Sequence, residues 1–533
     1  MVRALLAKLS TSIVGGAMII ALASVLSRVA GLLRDNLLAK YFAGTATIDM
    51  YTAAFKVPDL LFNIVVLGAL SASFIPIFID VKKKYGDNVA FYTASTILNI
   101  LLLFVAAGVV LGWIVAPWIS QWLLATRSLD QQHTTAMLMR LMLCSIMFFT
   151  LSNVASGILQ SYRRFVAFAL APILYNVGII IGIVWLYPRF GINGLASGVV
   201  LGAALHWLIQ LPAVWRTGYR YHWRWHWRQP GVKKMLRLMP PRALALGIVQ
   251  INAMIIAALA LRLPEGSLGI WTWADNLQQF PINVFGVSLA LSSFPVFSQA
   301  LAENDLAKFK TIFSINFRRI LFLIIPVSLT VLLLRAQFVR LVLGSFGGGR
   351  FDWDATVLTA QVLGFFSVAM FAQATIPLLT RSFFAHHDTK TPVIISIISM
   401  VLNIVVAWLA VPYFGLYGLA LAFAVSSLAS MLLLLVVLRV RCGDLDDRII
   451  IQSVWRIVGA ALVMGAVIQG MKYFIAPLVD MRTFIGILLQ TIFSIMAGGL
   501  TYFAIAWYFH FTEIDIIGRY FTKLRGVIRF SRS

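Results

Sequence analysis

Runs of about twenty apolar residues recur along the whole chain. That length is what a helix rising 1.5 Å per residue needs to cross a hydrocarbon core of about 30 Å. Read between charges, glycines and prolines, the sequence holds about fourteen such windows: 10-33, 49-79, 90-123, 134-161, 165-187, 192-214, 239-262, 268-299, 312-341, 355-382, 391-411, 414-438, 450-476 and 484-510. An outer-membrane barrel would instead show alternating segments of about ten residues. Composition agrees: 61% of the 533 residues are hydrophobic and 12% charged, against about 25% charged in a soluble domain. Such a chain cannot cover a water-facing surface. A soluble enzyme, a disordered chain and a disulfide scaffold are excluded, and an all-α polytopic membrane protein is expected. Pro58 and Pro76 in the second window, and Pro281 and Pro295 in the eighth, predict bends.

The chain has 43 Lys+Arg against 19 Asp+Glu, a formal charge of +24. The cations collect on alternate loops. One side receives Lys82, Lys83 and Lys84, then Arg163 and Arg164, then the stretch 216-237. Lys308, Lys310, Arg318, Arg319, Arg439 and Arg441 follow on that side, then Arg519, Lys523, Arg525 and Arg529 in the tail. The opposite loops carry only scattered cations: Arg127, Arg189, Arg262, Arg350 and Arg482. Loop asymmetry of this kind places the richer side, and both termini, in the cytoplasm. Arg28 lies within the first window and no small-residue cleavage pattern follows, so the first helix is expected to be retained. The stretch 216-237 has no acid and interleaves Trp223, Trp225 and Trp227 with its cations. Anionic membrane lipids, rather than nucleic acid, are the expected partner of such a segment. Residues 512-530 read as a second amphipathic surface helix.

An internal repeat organises the windows. Pro188-Arg-Phe-Gly191-Ile-Asn-Gly194-Leu-Ala returns as Pro412-Tyr-Phe-Gly415-Leu-Tyr-Gly418-Leu-Ala, at an offset of 224 residues. Asn176 and Asn403 sit upstream in similar apolar segments, and Gly68 to Phe78 resembles Gly286 to Phe297. Six passes separate the copies. An even number preserves orientation, so the repeat is parallel, about an axis along the membrane normal. The expected organisation is a six-helix lobe over 1-215, a basic linker over 216-237 and a second six-helix lobe over 238-440. Two further passes over 441-511 and a basic tail over 512-533 complete it.

Ionisable residues inside spans are costly and mark functional positions. The first pass holds Ser27, Arg28, Arg34 and Asp35; the second holds Asp49, Lys56 and Asp59. Lys56 and Asp59 are spaced to pair on one helix face. Asp275 and Asn276 lie in the eighth pass and Arg381 ends the tenth. Guanidinium groups grip phosphate in a two-pronged fork, so a cationic surface suits an anionic headgroup. No phosphate-binding loop, zinc motif or paired catalytic carboxylates is present. His386 and His387 are adjacent and point to different helix faces, and Cys144 and Cys442 are isolated. No enzyme activity, cofactor or metal is expected.

The stretch Ser27-Arg-Val-Ala-Gly-Leu-Leu-Arg34-Asp35, with Asp49 and Phe55-Lys56-Val-Pro58 after it, resembles the N-terminal signature of the MurJ/MviN family. Gly68-Ala-Leu-Ser-Ala-Ser-Phe-Ile-Pro76, Ala274-Asp275 through Pro281 to Pro295, and Arg381-Ser-Phe-Phe-Ala-His-His-Asp388-Thr-Lys-Thr-Pro392 continue the likeness over nearly the whole chain. The resemblance implies the MOP exporter fold, two six-helix lobes plus two C-terminal helices. It also implies flipping of lipid II, the polyprenyl-diphosphate-linked peptidoglycan precursor, from cytoplasmic to outer leaflet. The chain departs from the family pattern at Phe62 and Asn276, where an Arg is common, and at Leu67 and Gln279, where an acid is frequent.

The leading expectation is therefore a lipid II flippase of the bacterial cytoplasmic membrane. Its substrate-binding residues would be Ser27, Arg28, Arg34, Asp35, Asp49, Lys56, Asn276 and Arg381. Two alternatives stand beside it. One is a flippase for another polyprenyl-linked saccharide, or a drug exporter of the same superfamily. The other is a transport-inactive scaffold for cell-wall synthesis proteins.

Overall fold

The computed structural model describes residues 13–68, 74–223, 225–226, 231–344 and 349–514. Among them every regular element is a helix. Twelve helices in the described residues are long and apolar enough to cross a membrane. They correspond to all but the first and seventh of the sequence windows. The first helix carries Arg28, Arg34 and Asp35, and the seventh is apolar only over Leu246–Ala260. Packing divides the described residues into two compact units, one within Met1–Gly269 and Phe346–Phe351, the other within Ile270–Ser345 and Asp352–Ser533.

Unit 1 contains α1 (Ile13–Phe42), α2 (Ala46–Ala54), α3 (Lys56–Leu61), α4 (Phe74–Leu123), α5 (Leu129–Ser161), α6 (Phe165–Ile181), α7 (Ile192–Leu208) and α8 (Val232–Ala260). The second pass breaks as its prolines predict. α3 passes into a π-helical turn at Phe62–Leu67, a distortion that often marks functional positions. α4 merges the end of that pass with the third across a kink at Gly86, whose φ of 83° suits a residue without Cβ. Within a bilayer, helices associate through close packing and interhelical hydrogen bonds rather than through the hydrophobic effect. α6 and α7 illustrate this. A Cβ at Gly178 would stand 2.2 Å from the Cα of Gly202, and one at Gly182 would stand 2.7 Å from the Cα of Gly198.

Unit 2 contains α9 (Ser267–Pro281, from Ile270 onward), α10 (Ser288–Ala302), α11 (Leu306–Leu333), α12 (Arg335–Leu343), α13 (Trp353–Ala385), α14 (Lys390–Phe414), α15 (Leu416–Cys442), α16 (Asp447–Ile475) and α17 (Phe484–Tyr508). The eighth pass breaks like the second, through a π-helical turn at Ile282–Val287 between α9 and α10. The unit's core stacks Phe297, Phe309, Phe313, Phe317, Phe322 and Phe383. α17 is tied to it where the buried Tyr502 hydroxyl donates to the Phe322 carbonyl at 2.9 Å.

The repeated motif folds the same way in both units. Gly191 and Gly415 have φ of 57° and 54°. A Cβ at Gly194 would meet the backbone of Leu186 at 2.4 Å, and one at Gly418 that of Ala410 at 2.6 Å. The first glycine makes the turn, and the second lets the returning helix approach its predecessor.

The seventh pass, α8, packs in unit 1, on α3, its π-turn and α4. The contact is close because the facing residues are small: a Cβ on Gly68 would lie 3.3 Å from the Cα of Ala243. The packing boundary therefore falls at Gly269, whereas the repeat places the sequence boundary at 216-237. That stretch is pinned to α4. The Tyr219 hydroxyl lies 3.0 Å from Ser95 Oγ, and the Tyr221 hydroxyl donates to Asn99 Oδ1 at 2.6 Å. Burial pushes the Tyr219 phenol up to about 12. Trp223 is exposed and meets Trp225 edge-on. Residues 69–73, 224, 227–230 and all of the expected tail helix beyond Ile514 lie outside the described residues.

Candidate functional site

The polar residues of unit 1 form two separate groups. The first is built on α1. Arg34 donates from Nε and Nη2 to Oδ1 of Asp35 at 3.0 and 2.8 Å. Its Nη1 donates to Oδ1 of Asn176 on α6 at 3.1 Å. Asn176 in turn donates from Nδ2 to the carbonyls of Pro172 and Ser27, at 3.0 and 3.4 Å. A Cβ at Gly31 would lie 3.9 Å from this amide, an ordinary van der Waals contact. The ion pair is mostly buried, with side-chain exposures of 23% for Arg34 and 9% for Asp35. Arg28 stands on the exposed side of α1 and makes no ion pair among the described residues, while Ser27 is half-buried. Helical spacing puts Arg28 and Asp35 on one face, but only the second is covered by the bundle.

A cavity of about 240 Å³ opens nearby in the same unit, between the broken second pass and helices α5, α6 and α7. Asp59, Ser145, Tyr175 and His206 supply its polar lining. Lys56, half-buried, lies within electrostatic reach of Asp59. Phe62 packs on Phe149 with ring centroids 5.4 Å apart, and Phe149 meets Tyr175 at 5.1 Å and His206 at 5.5 Å. At Phe62, where the resemblance implied an arginine, this chain completes an aromatic wall. Behind it runs a buried polar chain: His206 Nδ1 is 2.6 Å from Ser152 Oγ, which accepts from Gln210 Nε2, and Ser156 donates to Gln210.

Asp49 belongs to the second group. Its carboxylate accepts from the amides of Gly266, Leu268 and Gly269, at 2.8, 3.0 and 3.2 Å. Arg127 approaches it at 3.5 Å and donates to the carbonyls of Leu261 and Leu263. The arrangement is a helix N-terminus satisfied by a carboxylate from another segment. Asp49 thus caps the start of α9, and its partners are these amides and Arg127 rather than Arg34 or Asp35.

In unit 2, Asp275 accepts from Gln278 at 2.8 Å, and the neighbouring Asn276 is half-buried. Arg381 is half-buried and donates to the Pro377 carbonyl at 3.3 Å. Asp388 accepts from the Thr391 amide and hydroxyl and pairs with Arg441 at 2.6 Å. The Thr391 amide, then its hydroxyl and Arg441, hold the Asp388 carboxyl below its usual range against a partial desolvation. His386 and His387 diverge, the first toward the Ser382 carbonyl and Cys442, the second outward. No group of three metal-ligating side chains occurs among the described residues. Sequence reading missed Asn176 as a partner of Arg34. Its one signal was its place, with Asn403, in the repeat.

Membrane-length helices, an internal repeat with broken passes, and an arginine–carboxylate pair on the first helix define a polytopic protein of the transporter class. Solved structures share the fold. "Lipid II flippase MurJ, inward closed conformation" aligns with TM-score 0.75 at 24% identity, covering 94% of this chain and all of that one. An inward-facing multidrug resistance MATE transporter of the MOP superfamily aligns with TM-score 0.65 at 15% identity, covering 79% and 96%. The family model described as "Lipid II flippase MurJ" matches residues 38–489, and the chain belongs to that family. The "Lipid II flippase MurJ" of Burkholderia cenocepacia is 28% identical over 454 residues, 84% of this chain and 87% of the relative. A "Probable lipid II flippase MurJ" of Bdellovibrio bacteriovorus is 26% identical over 512 residues, 94% and 96%.

Proposed function

We propose that this chain carries lipid II from the cytoplasmic to the outer leaflet of the bacterial cytoplasmic membrane by alternating access, with both termini cytoplasmic. Family membership supports the substrate, and the Arg34–Asp35–Asn176 cluster with the exposed Arg28 beside it carries the assignment of the headgroup contact. Arg28 offers an uncommitted guanidinium to a diphosphate. Arg34 is held in place by an amide and a carboxylate, and a diphosphate competes with Asp35 for it. Each charge-assisted contact is worth about 1.5–3 kcal/mol. Ser27 and Lys56 are secondary headgroup contacts in this reading. Transport requires no covalent step, so no catalytic residue is assigned.

The aromatic wall at Phe62 and the neutral Asn276 favour a second reading, in which the headgroup is that of another polyprenyl-linked saccharide. Complementation of a flippase-depleted bacterium separates the two. Wild type should restore growth, and Arg28→Ala or Arg34→Ala at equal membrane level should not. Failure of well-expressed wild type would remove lipid II as the substrate.

A further inference from the structure

The α5–α6 turn, the start of α6 and the segment that follows α7 enclose a cavity of about 620 Å³ in unit 1. Arg163 and Arg164 line it from the turn, and Arg216 lines it from the end of the short helix Leu211–Trp215. All three arginines are exposed, and none makes an ion pair among the described residues. Arg164 donates to the Ala213 carbonyl at 3.4 Å. Asp87 reaches the wall through Tyr162, whose hydroxyl donates to it at 2.6 Å, but Lys82 already answers that carboxylate at 3.1 Å. Arg163 is held in a backbone conformation that glycine usually takes. Its φ is 56°, and the amides of Arg163 and Arg164 donate to the Gln160 and Leu159 carbonyls at 3.0 and 2.8 Å. A helix end closed through a left-handed residue in this way normally has glycine there. Here the position supplies a guanidinium to the cavity instead.

The remaining lining is largely apolar and belongs to two membrane-length spans, Phe165–Phe190 and Ile192–Trp215. Phe165, Val166 and Leu170 come from the first, and Ile209 and Ala213 from the second. Leu170 is exposed and stands six residues past Arg164, about 9 Å along the helix axis. One cavity thus runs from cations at the ends of two spans onto the apolar flank of both. A water-borne anion would use only its cationic end. A lipid uses the whole of it, with its phosphate among guanidinium groups and its chains against Leu170 and Ile209. Basic pockets between helices on the cation-rich side recognise headgroups in this way.

We propose that this cavity binds an anionic membrane glycerolipid, its phosphodiester held by Arg163, Arg164 and Arg216. The site shares no residue with the lipid II contacts proposed above, and its test contains no lipid II, so the two readings fail separately. The full chain is purified in neutral detergent, stripped of lipid and titrated with phosphatidylglycerol or phosphatidylcholine, and bound lipid is counted by native mass spectrometry. Arg216→Gln removes one exposed cation. Arg163→Gly removes another and gives the left-handed position the residue that suits it, so this variant should melt no lower than wild type. Arg482→Gln removes the same charge from an exposed position between α16 and α17 and serves as control. Wild type and control should bind phosphatidylglycerol in preference to phosphatidylcholine, and each cavity variant should weaken the tightest phosphatidylglycerol binding roughly ten-fold. Equal binding of the two lipids by wild type, unchanged binding in either cavity variant, or equal weakening in the control would overturn the proposal. Displacement of the lipid by millimolar glycerol phosphate, which has the charge without the chains, would overturn the choice of a lipid over a soluble anion.

Discussion

Arg34 Nη1 and Asn176 Oδ1 are 3.1 Å apart, a bond that joins the first helix to the sixth across 142 residues of sequence. The Asn176 amide cannot turn over without cost, because its nitrogen is committed to two backbone carbonyls. Its oxygen is therefore presented to the cation, and Arg34 is aimed by a neutral group as well as by Asp35.

Asn176→Leu should remove that aim and leave a guanidinium donor short of a partner. The expected loss is about 1–3 kcal/mol of stability, the cost of an unsatisfied buried donor. A double-mutant cycle with Arg34→Ala checks it by thermal unfolding in detergent. The effect of Asn176→Leu should shrink in the Arg34→Ala background. An unchanged effect would show that Asn176 acts through helix packing alone.

The Asp49 carboxylate collects three backbone amides and Arg127. Asp49→Ala should orphan those donors and lower the amount of folded protein in the membrane, at about 1–3 kcal/mol for each donor left without water. Loss of complementation should follow loss of protein. A normally abundant, normally stable Asp49→Ala protein that fails in transport would return Asp49 to the substrate site.

The sequence announced the spans because hydrophobic length and helix rise are local quantities. It announced the P-x-F-G-x-x-G turns for the same reason: a positive φ at Gly191 and Gly415 and a close approach at Gly194 and Gly418 need glycine wherever they occur. Charges in the first two passes were equally visible, but their partners were not. Asp49 and Asp35 look alike in sequence, yet one caps a helix start more than two hundred residues away and the other grips its neighbour. The side on which α8 packs was hidden as well. Repeat symmetry counts passes, whereas packing follows small facing residues such as Gly68 and Ala243.

Asp388 gives a pH signature. Its carboxyl is held low in the folded state, so its contribution is fully present above the unfolded value of about 3.9 and is lost as pH falls through the lower folded value. Asp388→Asn should therefore reduce the melting temperature at pH 7. The gap to wild type should close only below about pH 4. A gap that is constant down to the acid limit would mean the stabilisation comes from the Thr391 turn irrespective of charge.

Gly178→Ala should be far more damaging than its size suggests. The added carbon meets Gly202 backbone at 2.2 Å, and no side-chain rotation relieves a backbone clash. Gly459→Ala in α16 is the contrast, since nothing lies within 4 Å of a Cβ there. Its expected effect is a gain of about 0.5–1 kcal/mol from helix propensity. Paired melting curves should move in opposite directions.

Arg28 separates fold from transport most cleanly. It is exposed and makes no ion pair among the described residues, so Arg28→Ala should leave the stability within about 0.5 kcal/mol of wild type, as surface substitutions do. Loss of a charge-assisted phosphate contact should still weaken headgroup binding roughly ten-fold or more. Arg28→Lys keeps the charge but loses the two-pronged fork, and should fall between the two. Ranking wild type, lysine and alanine by growth rescue at matched protein levels therefore reads the chemistry of the contact itself. Equal rescue by all three would remove Arg28 from the headgroup site and leave Arg34, already shared with Asp35 and Asn176, as the arginine of the first span on which that site must be built.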